Sequence, residues 1–106
     1  MSNVDERIER FKEHARQFPD SELPHFALGK ALLEAGREEE AIAEFRETLR
    51  LKADYLIPHI ILARLLMDHG NKDEARVLAA KAKILALAQG HEGPLRDVAE
   101  LEAELL

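Results

Sequence analysis

Apolar residues recur three or four positions apart along most of the chain, the spacing of helices with a buried face, and the pattern divides into six helices without strands. The first covers residues 4–18. Asp20 and Asp54 stand where the next helix of each hairpin needs an N-cap, because a short carboxylate accepts hydrogen bonds from orphan amides. Pro24 and Pro58 follow four positions later, still in the first turn, where a missing amide proton costs little. Gly36 and Gly70 stop these helices, since glycine takes the left-handed C′ conformation without penalty. Second helices follow at once over residues 38–51 and 73–88. After Gly90-His91-Glu92-Gly93, Pro94 opens a last amphipathic helix with Leu95, Val98, Leu101 and Leu105 or Leu106 on one side.

The pattern repeats. A shift of 34 residues aligns Pro24 with Pro58, His25 with His59, Leu28 with Leu62, Leu32 with Leu66, Gly36 with Gly70 and Ala41 with Ala75. The same shift carries Ile8 onto Ile42, Phe11 onto Phe45, Glu13 onto Glu47, Arg16 onto Arg50 and Asp20 onto Asp54. Chance pairs charged residues and leucines easily, but not Pro, Gly, Phe and Asp at one shift. Each period is a helical hairpin, which cannot bury its apolar face alone and must stack on a neighbour.

These residues resemble the tetratricopeptide repeat. Gly29 and Ala63 stand at its small helix-packing position, Ala41 and Ala75 at its alanine early in the second helix, Phe45 at its bulky position and Pro19 at its closing proline. His25 and His59 depart from the family's aromatic, Ala79 from the residue matching Phe45, and Ala53 and Leu87 from the closing proline. The resemblance spans residues 8–89. It implies an all-α, tetratricopeptide-like α-solenoid of antiparallel helical hairpins with a C-terminal capping helix. As one domain over residues 1–106 it comprises a half repeat or N-terminal cap (4–19), repeat 1 (20–53), repeat 2 (54–90) and the capping helix (94–106).

The first helix of each repeat is apolar around nearly its whole circumference, which predicts cover on two sides. Leu28 and Leu32, or Leu62 and Leu66, belong to the core. A second stripe runs Leu23, Phe26, Lys30, Leu33, and its copy runs Ile57, Ile60, Arg64, Met67. The resemblance places that stripe on a concave groove that receives partner segments, and Tyr55, in the connection between the repeats, is expected to edge the same surface. Apolar anchors with one cation per repeat suit a partner peptide or helix carrying apolar and acidic residues, and Met67 adapts to varied surfaces. A second copy of the chain, in a homodimer, or the chain's own C-terminal helix are the other occupants to consider. The family's clamp for a C-terminal carboxylate does not carry over, because Phe26 and Ile60 take its lysine place and Lys30 and Arg64 its asparagine place.

Composition removes competing functions. The 106 residues contain no Cys, so there is no disulfide framework, thiol nucleophile or Cys-based zinc site. Twenty-one acidic against 15 basic residues give a net charge of -6, the wrong sign for a nucleic-acid binder. No apolar run approaches a membrane span and the N-terminus lacks an apolar signal core, so a cytoplasmic protein is expected. The five histidines show no i, i+4 pair or HExxH, so neither metal nor cofactor is expected. His25 and His59 read as packed substitutes for an aromatic. Ser2, Ser21, Thr48 and Tyr55 are the only hydroxyls, and none has a relay of His and carboxylate. No catalysis is expected. Charged runs on the terminal helices read as solvated capping faces.

Overall fold

A computed structural model describes residues 3–106 and contains six α-helices, with no strand among the described residues. They are α1 (Asn3–Gln17), α2 (Glu22–Glu34), α3 (Glu38–Leu51), α4 (Leu56–Asp68), α5 (Lys72–Gln89) and α6 (Glu92–Glu104). The expected helix count holds, but the expected caps do not. Ser21 and Tyr55, not Asp20 and Asp54, are the N-cap residues of α2 and α4, and neither side chain makes a capping hydrogen bond. In the first case the reason is a turn: Pro19 presets the backbone, and the Ser21 amide donates to the Phe18 carbonyl at 3.1 Å, which leaves Asp20 inside the turn.

The stops are as the glycines require. Gly36 and Gly70 have φ of 78° and 85°. The Gly36 amide donates to the Leu33 carbonyl at 3.0 Å and the Arg37 amide to Leu32 at 2.9 Å, the paired bonds of a Schellman motif. Gly70 to Met67 and Asn71 to Leu66 reproduce the pair in the second repeat at 3.0 and 2.7 Å. Only three residues separate α2 from α3, and three separate α4 from α5, so each pair folds back as a hairpin.

The chain divides into two compact units, one running to Ala53 and the other Asp54–Leu106. In the first, α2 packs against both α1 and α3. Ile8, Leu28, Leu32, Ala41 and Phe45 are buried there, together with Thr48, whose hydroxyl donates to the Glu44 carbonyl at 2.8 Å. Gly29 is where α2 meets α3: a Cβ built on it would lie 2.7 Å from Phe45 Cε1.

In the second unit α4 packs on α5, and α6 packs on both. Leu56, Ala82, Ala86 and Val98 form one core cluster, with Ile60, Leu85 and Leu95 against it. Repeat 2 pairs two small residues, Ala63 and Ala79, at the places where repeat 1 pairs Gly29 with Phe45, and both alanines are buried. At the C-terminus the alternatives separate: Leu105 is 3% exposed, whereas Leu106 projects fully. No helix among the described residues is long and apolar enough to cross a membrane.

Candidate functional site

The two copies of the second apolar stripe differ in what surrounds them. On α2, Leu23 is 59% exposed, while Phe26 and Leu33 are half-buried. Phe26 belongs to core and surface at once. Its ring centroid lies 6.0 Å from that of buried Phe45, and the Lys30 ammonium sits 5.3 Å from its own centroid. That is cation–π geometry, which holds an exposed cation beside an apolar anchor. On α4, Ile57 is 40% exposed and Ile60, Arg64 and Met67 are half-buried. Ile60 packs against the cluster that includes Val98 of α6, and Arg64 donates to Glu104 of α6 at 2.7 Å. The C-terminal helix therefore already meets part of the α4 stripe, and Arg64 has an intramolecular partner. Tyr55, half-buried, precedes α4 and offers its carbonyl to His59.

The paired histidines occupy the same register and have different surroundings. His25 Nδ1 lies 2.8 Å from a Glu44 carboxylate oxygen. In repeat 2 the residue at the place of Glu44 is Leu78, so that carboxylate partner is missing there. His59 is 3% exposed and donates from Nδ1 to the Tyr55 carbonyl at 2.7 Å. Burial pushes its pKa below the ordinary histidine value of 6.5, Lys81 adds to the effect, and the Tyr55 carbonyl opposes it. As pH falls, the unfolded chain takes up this proton before the folded one does. The stability tied to neutral His59 is thus complete above about 6.5 and is lost as pH drops through the lower folded value. Thermal melts should show that loss in the native chain, and His59→Gln should flatten the difference over that window. Parallel melting curves for the two proteins would show that His59 is not desolvated.

A cleft of about 620 Å³ in the first unit is lined by Lys12, Arg16, Asp20, His25, Glu44, Glu47 and Arg50 among others. Its charges are largely matched within the protein, Arg50 pairing with Glu47 and Arg16 with Glu13 at 2.7 Å, while His25 Nδ1 lies against Glu44. The Glu13–Arg16 and Glu47–Arg50 pairs are 34 residues apart, so the ion pairs keep the repeat. Hydrogen bonding to Arg50 holds the Glu47 carboxyl below the usual carboxylate range. Among the described residues no three His, Asp or Glu side chains converge as metal ligands would. Ser2 lies outside the described residues. Thr48 is buried and bonded to backbone.

A family model, Tetratricopeptide repeat, matches residues 32–86, more than half of the chain. The chain belongs to the tetratricopeptide repeat family, whose repeats are non-catalytic modules that mediate protein–protein interaction. No curated protein matches its sequence.

Proposed function

We propose that the chain is an interaction module or adaptor that takes a partner protein segment on the first-helix faces of its repeats, with Leu23, Phe26, Lys30 and Leu33 of α2 as the principal site. The observation that carries this reading is the open state of the α2 stripe: Leu23 stands in solvent, and Lys30 is held at 5.3 Å from the centre of the Phe26 ring. Apolar anchors around a positioned cation fit a peptide or helix that alternates apolar with acidic residues. In the second unit the α4 stripe is a separate, smaller face of Ile57 and Met67 with Tyr55, because Ile60 packs against the core cluster and Arg64 is paired with Glu104 of α6.

Charge reversal separates the two faces. Lys30→Glu should weaken capture of an acidic amphipathic peptide about tenfold or more while the melting temperature holds, because Lys30 is exposed. Arg64→Glu should weaken it less, since Glu104 already neutralises that cation at 2.7 Å. Titration of a labelled peptide with each variant measures both. Unchanged affinity in both variants, with unchanged molar mass in solution, would remove this face from the binding surface. A mass that halves in the Lys30→Glu variant would make the face a homodimer contact instead.

A further inference from the structure

The repeat supplies an internal control for the outer surface of its second helices. Ala43, Arg46 and Arg50 on α3 and Ala53 in the turn after it are exposed, an ordinary solvated surface. Thirty-four residues on, α5 replaces them with Val77, Ala80, Ile84 and Leu87. Those four keep i, i+3, i+7, i+10 spacing and so form one stripe about 15 Å long. None is buried: Val77 is 55%, Ile84 67% and Leu87 61% exposed. The helix's inner face is separate, formed by Ala75, Leu78, Ala79, Ala82 and Ala86. The apolar stripe therefore has no role in the hairpin core, and contiguous exposed apolar surface on a small protein marks an interaction site.

Charge decides what fits it. Lys81 lies one turn beyond Val77 and Lys83 one turn before Leu87, so the two cations border the stripe on opposite sides. Both are exposed, and Lys83 meets Glu102 only at 3.8 Å. With Lys72 and Arg76 against Asp73 and Glu74, α5 carries net positive charge in a chain of net charge -6. A second copy suits this face poorly: a two-fold axis near Ala80 would set Lys81 beside its own image. An anionic membrane suits it poorly too, because Asp73 and Glu74 lie at the same end of the stripe. We propose that the outer face of α5 is a second docking surface, for an amphipathic helix of a partner protein whose apolar side is bordered by Asp or Glu. Ala80, small and central, admits the partner backbone closely, while Ile84 and Leu87 supply the apolar contact and Lys81 and Lys83 select the acidic borders.

The test titrates isotope-labelled full chain with a synthetic amphipathic helical peptide of about four turns, bordered by Glu, and with its Lys-bordered twin. A distinct set of amide shifts should appear over residues 77–87, and at those residues the Glu-bordered peptide should bind about tenfold tighter or more. Ile84→Glu should remove that binding, and Lys81→Glu with Lys83→Glu should reverse the preference. Lys30→Glu should diminish only the shifts on α2 and leave those at residues 77–87 intact, which separates this surface from the α2 face. All four substituted residues are exposed, and circular dichroism checks that the variants fold. Shifts confined to α2 or α4 with none on α5, equal affinity of the twins at α5, or no binding of either peptide would overturn the proposal. So would a dimer broken by Ile84→Glu, or adsorption to anionic vesicles lost in that variant.

Discussion

Gly29→Leu is expected to unfold the first unit. A Cβ alone at this position would stand 2.7, 2.9 and 3.0 Å from Cε1, Cδ1 and Cζ of Phe45, inside the closest approach that carbon atoms make. The ring cannot swing clear, because Phe45 is fully buried and Phe26 lies 6.0 Å away by centroids. Overpacking of a dense core costs ~1–3 kcal/mol and more where the neighbour has no room to move. At ~4–8 °C per kcal/mol for a domain of this size, the melting temperature should fall by ten degrees or more. Gly29→Ala is the sharper case, since the gain in helix propensity of ~1 kcal/mol is set against the same clash. Repeat 2 resolves the contact differently, with Ala63 and Ala79 both buried. Copying that solution with Gly29→Ala and Phe45→Ala together should therefore cost less than the two single changes added, by ~0.5 kcal/mol or more. Denaturant midpoints of the three proteins measure this. An unchanged midpoint in Gly29→Leu would mean that α2 does not cross α3 at Gly29, and the repeat register would be wrong.

The resemblance implied a small helix-packing residue at Gly29, but that Phe45 is the ring it meets was not legible in the sequence. Gly36 and Gly70 were legible as helix stops, and their positive φ values are what a helix stop demands. The caps were less legible. Asp20 is as good a cap as Ser21 by composition, and only the turn after Phe18 decides between them. Long-range partners were not legible at all. Glu104 is 40 residues from Arg64, and nothing in the pattern of charges distinguishes it from Glu100 or Glu102 as the partner.

The α5 stripe illustrates a different limit. Val77, Ile84 and Leu87 stand in plain view, but a helix with apolar residues on two sides gives no sign of which side its neighbours cover. Leu87 registers in the repeat pattern only as the residue that replaces a closing proline. The structure puts Ala75, Leu78, Ala79, Ala82 and Ala86 on the inner side, and Val77, Ile84 and Leu87 remain outside. Likewise the paired histidines look equivalent along the chain. The matching places on the following helix hold Glu44 in one repeat and Leu78 in the other; one imidazole lies beside a carboxylate, and the other is buried against the Tyr55 carbonyl.

Leu101→Ala should produce the second large loss of stability, confined at first to the second unit. Leu101 is fully buried on α6, one turn from equally buried Val98, which joins the cluster of Leu56, Ala82 and Ala86. Truncating a buried leucine costs ~2–5 kcal/mol, from lost transfer energy and the cavity left behind. The polar ties of α6 are weaker by comparison. Arg64–Glu104 is an exposed pair at 2.7 Å, for which ~0–1 kcal/mol is typical. The Arg76 guanidinium donates to the Leu105 carbonyl at 3.0 and 2.8 Å, which fixes the end of the helix without replacing the core beneath it. Hydrogen exchange should therefore accelerate across Asp54–Leu106 in Leu101→Ala before residues of the first unit respond, and Glu104→Ala should change little. If instead Glu104→Ala proved the more damaging, α6 would be held by its charges. If Leu101→Ala left exchange in α4 and α5 untouched, α6 would be an appendage to the core and not part of it, and Ile60 would owe its half-burial to other neighbours.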